Sequence, residues 1–139
     1  MNWLYYLLQF TWGLPMNIIG ALAYILLHVI LRYPTYWRRN MLCIQIPPRF
    51  GGMNLGMFCV FGTDCYDVLN HEYGHSIQNM WWGFLMPFVI GIPSMIRYWY
   101  RELVVRMGRP LKTAYDDIWF EGQATALGND AEMGEWSWL

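Results

Sequence analysis

An uncharged run from Trp12 to Leu31 comprises 20 residues and is rich in Leu, Ile and Ala. A helix of about 20 apolar residues is long enough to cross the hydrocarbon core of a bilayer, which is about 30 Å thick. A chain of 139 residues offers few other elements against which such a segment can be buried. The run therefore predicts a transmembrane helix, and a buried core helix is the alternative. A cleaved signal peptide fits less well, because no positively charged segment precedes the run.

The overall composition also favours a membrane environment. Hydrophobic residues make up 56% of the chain and charged residues 14%, whereas charged residues make up about 25% of an average soluble domain. The formal net charge is −1 and the pI is near 6.3. Proteins that bind nucleic acid usually present a basic face. We therefore expect the lipid bilayer as a partner and no nucleic acid.

Charged residues are distributed unevenly along the chain. Residues 1–31 carry none, residues 32–49 carry four Arg and no acid, and residues 113–139 carry six acids and no base. Arg residues mixed with Tyr and Trp are typical of a cytoplasmic membrane interface. We expect residues 1–31 to form an N-terminal membrane anchor and residues 32–139 to form a core on the cytoplasmic side of the cell membrane.

Short apolar runs at residues 41–46 and 53–61 are bounded by Pro47-Pro48 and Gly51-Gly52. Such runs, separated by turn-forming residues, predict two strands joined by a turn. The fold is therefore expected to be mainly α-helical, with a small β-hairpin or sheet.

Capping patterns predict two further helices. Asp64, with Asp67 three residues later, begins one of about 18 residues that Gly83 ends. Thr113 with Asp116 begins another over residues 114–127, and Gly128-Asn129 ends it.

A second apolar stretch covers residues 80–96 but is interrupted by glycine and proline, which break helical hydrogen bonding. Basic residues follow it, so both of its flanks resemble cytoplasmic segments. We expect a membrane-associated segment that dips into the bilayer and returns. Three cysteines, Cys43, Cys59 and Cys65, form no disulfide framework and favour a reducing compartment.

The predicted helix after Asp64 contains the sequence His71-Glu72-Tyr73-Gly74-His75. Helical residues four apart lie on one face, so the two imidazoles can bind one metal ion while Glu72 lies beside them. Two histidines with an incidental acid are the alternative. A catalytic zinc usually takes three protein ligands and leaves its fourth position to water.

The third ligand is expected to be a carboxylate, because the remaining histidine, His28, lies inside the predicted membrane helix. Glu121 is the best-placed candidate in the predicted helix 114–127, with Asp116 and Asp117 as rivals. Small residues would let this helix approach the histidine helix closely; they are Gly122, Ala124 and Ala126.

The HEYGH sequence and Glu121-Gly122-Gln123-Ala124 together resemble the gluzincin class of zinc peptidases. Four segments also resemble a family of small bacterial membrane proteins with a HEYGH motif: Trp12-Gly13-Leu14-Pro15, Gly52-Met53-Asn54-Leu55-Gly56, His71-Glu72-Tyr73-Gly74-His75-Ser76-Ile77-Gln78 and Ile90-Gly91-Ile92-Pro93-Ser94. The resemblance implies a minimal zincin-like core that binds Zn²⁺ through His71, His75 and Glu121, with Glu72 as the catalytic residue.

One position departs from the gluzincin pattern. Many gluzincins carry an aspartate four residues after the ligand glutamate to orient a zinc-bound histidine, and Thr125 stands there in this chain. Histidines bound to zinc normally donate their other N–H to a carboxylate or carbonyl. We expect Asp67 or Asp117 to supply that contact.

If zinc binds, the expected activity is peptide-bond hydrolysis, and the expected partner is a peptide or membrane-protein substrate. Zinc lowers the pKa of its bound water, and Glu72 would take the proton as general base. Tyr115 is a candidate donor to the developing oxyanion, with a role as an interfacial anchor as the alternative. The run 53–61 precedes the motif helix and would then be either an edge strand that pairs with a peptide substrate or an ordinary buried strand.

Three other functions remain open. Cys59, Cys65, His71 and His75 have the composition of a structural Cys₂His₂ zinc site, although their spacing is unusual. A metal-free membrane adaptor is the second alternative. The third is a site inside the bilayer, as in the site-2 proteases, against which the polar residues around the motif argue.

Overall fold

The computed structural model describes residues 3–48, 50–62 and 66–134. Within these ranges the chain is mainly helical and carries one small mixed sheet, as predicted. The α-helices are α1 (Trp3–Phe10), α2 (Leu14–Tyr24), α3 (Tyr66–Trp82), α4 (Ile92–Arg106) and α5 (Trp119–Glu132). The strands are β1 (Thr35–Arg38), β2 (Met41–Gln45), β3 (Gly52–Leu55) and β4 (Phe58–Phe61).

The predicted helix 12–31 begins later than expected, at Leu14, and continues past α2 as a π-helical segment, Ile25–Ile30. A separate helix, α1, precedes it. The chain turns between the two at Gly13, where an added Cβ would lie 2.4 Å from Asn79 Nδ2. Pro15 then lies in the first turn of α2, where a missing N–H costs no helical hydrogen bond.

No single helix in the described parts of the chain is both long and apolar enough to cross a membrane. Two bent helix pairs meet the criterion by length and composition: Trp3–Phe10 with Leu14–Ile30, bent by 92°, and Asp67–Leu85 with Pro87–Arg106, bent by 116°. The transmembrane helix and the division of the chain at residue 31 therefore stay predictions.

Buried polar side chains attach the two N-terminal helices to the rest of the molecule. Asn17 donates a hydrogen bond to the carbonyl of Gln9 (2.8 Å) and accepts one from the N–H of Met57 (2.8 Å). Gln9 in turn donates to the carbonyl of Ser76 in α3 (2.9 Å). The bend between α1 and α2 is thus hydrogen-bonded both to the β3–β4 hairpin and to the motif helix, α3.

The sheet has the strand order β1-β2-β4-β3. The predicted turn between runs 41–46 and 53–61 is wrong, because β2 and β4 pair in parallel, with Leu42 opposite Phe58. The second run is itself an antiparallel hairpin of β3 and β4, which turns at Gly56, where φ is +76°. Strand β1, antiparallel to β2, was not predicted.

Helix α3 confirms the predicted motif helix, and it ends at Gly83, where φ is +52°. The predicted N-cap, Asp64, lies outside the described residues. The irregularity predicted for residues 80–96 is also confirmed, since a 3₁₀ turn (Gly83–Leu85) and a π-helical turn (Pro87–Gly91) interrupt the stretch. Helix α4 follows directly and was not predicted.

The last helix lies five residues further along the chain than expected. Residues Tyr115–Asp117 form a 3₁₀ turn in which Asp117, rather than Asp116, accepts a hydrogen bond from the N–H of Ala114 (2.7 Å). Gly128 does not end α5 but lies inside it. An added Cβ there would lie 2.0 Å from the carbonyl oxygen of Asn70, so this glycine is required by helix packing.

Candidate metal centre

The three predicted metal ligands come together between α3 and α5. Glu121 Oε2 lies 3.0 Å from His71 Nε2 and 3.1 Å from His75 Nε2. One ligand atom from each side chain lies within 4.8 Å of the others. The two histidines lie one turn apart on the same face of α3, as the four-residue spacing predicts.

Small residues allow the two helices to come close enough for this arrangement. An added Cβ at Gly74 would lie 1.8 Å from the carbonyl oxygen of Ala124, which is itself fully buried. The prediction of close approach is correct for Ala124 but not for Ala126, which is exposed. Gly122 lies instead against the carbonyl oxygen of Asp116, which an added Cβ would approach to 2.8 Å. Gly74 and Gly128, the tightest contacts between α3 and α5, were not recognised from the sequence.

His75 is oriented by an amide whose own position is determined by its partners. Gln78 Nε2 donates to the carbonyl of Phe120 (2.8 Å) and to Gln123 Oε1 (2.9 Å), so its Oε1 is the atom 2.7 Å from His75 Nδ1. An amide oxygen only accepts hydrogen bonds, so His75 carries its proton on Nδ1. The lone pair on its Nε2 then points at Glu121.

His71 is oriented by a relay of two side chains. Its Nδ1 lies 2.8 Å from Thr125 Oγ1, and that hydroxyl donates its own proton to Asp116 Oδ2 (3.0 Å). Nδ1 of His71 is therefore the donor, and its Nε2 is also left with a lone pair toward Glu121. The expectation that Asp67 or Asp117 fills this role is wrong, because Asp67 is exposed and Asp117 caps Ala114. Asp116 and Asp117 are also not ligands, since neither belongs to the cluster.

In their neutral forms these imidazoles direct two nitrogen lone pairs and a carboxylate oxygen at one point, where either a metal ion or protons on the Nε2 atoms balance the carboxylate. Glu121 is fully buried, and its Oε1 accepts a hydrogen bond from Ser94. Burial alone would raise the pKa of Glu121, but the hydrogen bonds that His71 and His75 donate when their Nε2 atoms carry protons outweigh this and hold the pKa well below the ordinary value. The group is an anion, and its donor set fits a divalent metal ion.

Glu72 lies beside this cluster but does not belong to it. Its carboxylate is buried beside the backbone of Asn54, and its Oε2 has no partner among the described residues. Burial raises the pKa of Glu72, and the neighbouring His75 and His71 partly offset that rise. Gly52 makes room for the carboxylate, because an added Cβ there would lie 2.5 Å from Glu72 Oε1.

Tyr115 is also brought to the site, as predicted. Its ring centroid lies 5.9 Å from that of His71. Burial, followed by the charge of Glu121, raises the pKa of its hydroxyl well above the ordinary value, so the phenol stays protonated and can donate a hydrogen bond.

Two arginines of α4 hold the segment that carries Tyr115. Arg97 donates to the carbonyl of Ala114 (2.8 Å), and Arg101 donates to that of Thr113 (2.8 Å). Both guanidinium groups also lie over the Tyr115 ring, at 6.0 and 5.6 Å from its centroid. From the sequence these arginines indicated only a membrane interface. Their role here depends on contacts across the fold.

The cysteine and remaining histidine candidates lie elsewhere. Cys59 is opposite Cys43 in the sheet, both are buried, and Cys59 is not a member of the metal cluster. Cys65 lies outside the described residues. His28 Nδ1 lies 2.7 Å from the carbonyl oxygen of Tyr33, after the π-helical segment. Within the described ranges, the structure therefore gives no support to a Cys₂His₂ site.

No family model matches this chain, and no curated protein or solved structure is significantly similar to it. The fold and geometry define a candidate divalent metal site on a small, mainly helical scaffold. Its resemblance to the gluzincins stays a prediction that rests on the residues themselves.

Proposed function

We propose that this chain is a membrane-associated, zinc-dependent peptidase. The observation that carries the proposal is the position of Glu72. This is a buried carboxylate, one oxygen of which has no partner in the described parts of the chain, next to two imidazoles and a carboxylate whose lone pairs converge. A buried carboxylate of raised pKa beside a metal site is typical of a general base.

The ligand set supports zinc and an open coordination site. Two imidazoles and one carboxylate are a ligand set of catalytic zinc, whose fourth position is left to water or substrate. A structural zinc site would use four protein ligands, and the cluster among the described residues has three members, His71, His75 and Glu121. Each ligand also has the outer hydrogen-bond partner that zinc sites need for orientation.

The reaction is hydrolysis of a peptide bond. Zinc, when bound, would acidify a water molecule and polarise the substrate carbonyl. Glu72 accepts a proton from the attacking water as the new C–O bond forms, and it delivers that proton to the leaving amine as the C–N bond breaks. The protonated Tyr115 hydroxyl donates a hydrogen bond to the carbonyl oxygen as negative charge develops on it.

Membrane association is supported by the apolar side chains that α2 and α4 leave exposed. Ile18 and Leu22 of α2 and Ile96 and Leu103 of α4 are each more than half exposed. Soluble monomers rarely expose contiguous apolar patches of large size. The arginines that follow residue 31 and residue 96 favour a site at the cytoplasmic face.

Replacing Glu72 with Gln tests the proposal, because the change keeps the shape of the side chain and removes the base. Cleavage of a fluorogenic peptide library by the detergent-purified protein should fall by a factor of about 10² to 10⁴, while zinc content stays that of the parent. Asp67→Asn is the matched control, since it makes the same chemical change at an exposed position of the same helix. A Glu72→Gln protein that cleaves at the parent rate would remove Glu72 from the mechanism, and one that loses zinc would make Glu72 part of the metal site.

A further inference from the structure

A cavity of about 560 Å³ adjoins the candidate metal centre. Glu72, His75, Ser94 and Tyr115 of the site are among the residues that line it. Glu72 and His75 are the only acidic or basic side chains among its described lining residues. Most of the rest of the surface is apolar and includes four flexible methionines, Met16, Met53, Met86 and Met95. Methionine surfaces of this kind adapt to apolar partners of varied shape.

One side of the cavity is an open strand edge. Among the described strands, β3 pairs only with β4. The Gly51 carbonyl accepts a hydrogen bond from the N–H of Gly62 (3.0 Å), so alternate residues face β4 while the backbone groups of Gly52 and Asn54 face away from the sheet. Glu72 lies on this open side of the strand, since an added Cβ at Gly52 would lie 2.5 Å from Glu72 Oε1. An edge of this kind can pair with an extended peptide.

The other sides of the cavity come from α2 and α4, and its entrance is apolar. Ile19, Ile92, Met95 and Trp99 line the cavity and are also 44% to 55% exposed. The cavity surface is therefore continuous with the exposed apolar faces of these two helices. Residues 1–31 and 80–96 contain no charged residue. The arginines of α4 on either side of Trp99, Arg97 and Arg101, donate hydrogen bonds to the segment that carries Tyr115. A polar peptide would gain little binding free energy by leaving water for this cavity. An apolar segment would bury apolar surface both at the entrance and in the interior, which is favourable.

We infer that the cavity binds the apolar side chains of an extended segment of a membrane protein, whose backbone pairs with β3 beside Glu72. The inference rests on the proposed peptidase function and defines its substrate class. Backbone pairing with β3 places the segment along the strand that contacts Glu72. The apolar cavity then selects the side chains of that segment.

Gly91 offers a way to close the cavity without disturbing the fold. It lines the cavity, and an added Cβ would approach nothing closer than 3.6 Å, an ordinary van der Waals distance. Its backbone is helical, with φ at −57°. Gly91→Leu should therefore fill part of the cavity, while Gly91→Ala adds one methyl group and serves as the matched control.

Photo-crosslinking tests the inference. The full chain carries Glu72→Gln, so that bound peptide is not cleaved, and it is placed in phosphatidylglycerol nanodiscs with added zinc. Two diazirine-labelled peptides of equal length are compared, one of Val, Leu and Phe and one in which Thr and Asn replace most of these residues. Yields are normalised to the peptide present in the disc. The apolar peptide should crosslink to cavity residues about 10-fold to 100-fold more, as expected for burying one or more apolar side chains. Gly91→Leu should abolish most of that preference, and Gly91→Ala should retain it.

Several results would overturn the inference. Equal yields from the two peptides, or an unchanged yield with Gly91→Leu, would show that the cavity does not select apolar side chains. An apolar peptide with N-methylated backbone amides should crosslink poorly, and an undiminished yield would rule out pairing with β3. If a diazirine-labelled fatty acid displaced the peptide and crosslinked to the same residues in higher yield, the cavity would be a lipid site. Selective crosslinking in a protein that holds no zinc would keep the cavity as a binding site for apolar peptides and refute the peptidase instead.

Discussion

The hydroxyl of Thr125 links His71 to Asp116. Its oxygen lies 2.8 Å from Nδ1 of His71, and it donates a hydrogen bond to Oδ2 of Asp116 (3.0 Å). Thr125 occupies the position at which many gluzincins carry an aspartate. The carboxylate is thus present, but it comes from the 3₁₀ turn before α5 and acts through a hydroxyl. The relay fixes the tautomer of His71, as contacts behind a zinc ligand commonly do.

Thr125→Val should weaken zinc binding about 10-fold to 100-fold, the usual effect of losing such an orienting contact. Valine matches threonine in shape but cannot accept a hydrogen bond from Nδ1 of His71. Thr125→Ser keeps the hydroxyl and should bind zinc almost as tightly as the parent, and Thr113→Val is a control at an exposed threonine. Competition with a fluorescent zinc chelator measures the affinities of the parent and the three variants. Equal affinities for Thr125→Val and Thr125→Ser would show that the relay does not orient His71.

Gly128→Ala should destabilise the protein through the packing of α3 against α5. An added Cβ would lie 2.0 Å from the carbonyl oxygen of Asn70, and backbone cannot yield as a flexible side chain would. Overpacking of this kind typically costs about 1–3 kcal/mol. Denaturant titration in detergent micelles gives the free energy of unfolding, and Gly91→Ala, where a methyl group has room, is the control. Indistinguishable stabilities would mean that the two helices are less closely packed than described.

Asn17→Leu should also be strongly destabilising, although the two side chains are similar in size. The change leaves the N–H of Met57 and the carbonyl of Gln9 without their buried partner. Each unsatisfied buried group costs about 1–3 kcal/mol. The exposed neighbour Ile18, changed to Ala, serves as the control in the same titration. If Asn17→Leu were as stable as Ile18→Ala, the N-terminal helices would be a loosely attached anchor rather than part of the fold.

The local part of the site could be predicted from the sequence because helix geometry dictates it. The spacing of His71 and His75 places them on one face of a helix without knowledge of the rest of the molecule. Glu121 was identified because the one remaining histidine, His28, lies in the predicted membrane helix, which left a carboxylate as the third ligand, and because Glu121 lies on a predicted helix. The structure brings the three together as expected.

The outer contacts of the ligands could not be predicted, because they depend on how distant segments meet. Ser94 contacts Glu121 across 27 residues, and Gln78 contacts the carbonyl of Phe120 across 42. No local sequence pattern distinguishes such side chains, since serine and glutamine also occur commonly on solvent-exposed helix faces. Gly74 and Gly128 did carry a signal, because a glycine on each of two helices that also approach through small residues, here α3 and α5, indicates close helix packing.

The sheet illustrates a different limit. Short apolar runs and the turn residues that bound them identified the strand-forming segments, but strand partners are non-local. A parallel pair needs a connection longer than a tight turn. Here the connection from β2 to β4 includes β3, which pairs with the other side of β4. The glycine at position 56, with φ at +76°, turns the run 53–61 back on itself. Its place inside an apolar run concealed the turn.

The most direct test of the central claim is the zinc content of the purified full-length chain, measured by inductively coupled plasma mass spectrometry after dialysis against metal-free buffer. We expect one zinc per chain in the parent. Glu121→Gln should lose it, because the amide replaces the anionic oxygen that lies 3.0 and 3.1 Å from the two imidazoles. A chain with Cys59→Ala and Cys65→Ala should retain it, since Cys59 lies outside the ligand cluster. A parent without zinc, or a Glu121→Gln protein that keeps its zinc while the cysteine variant loses it, would contradict the assignment of the metal to His71, His75 and Glu121.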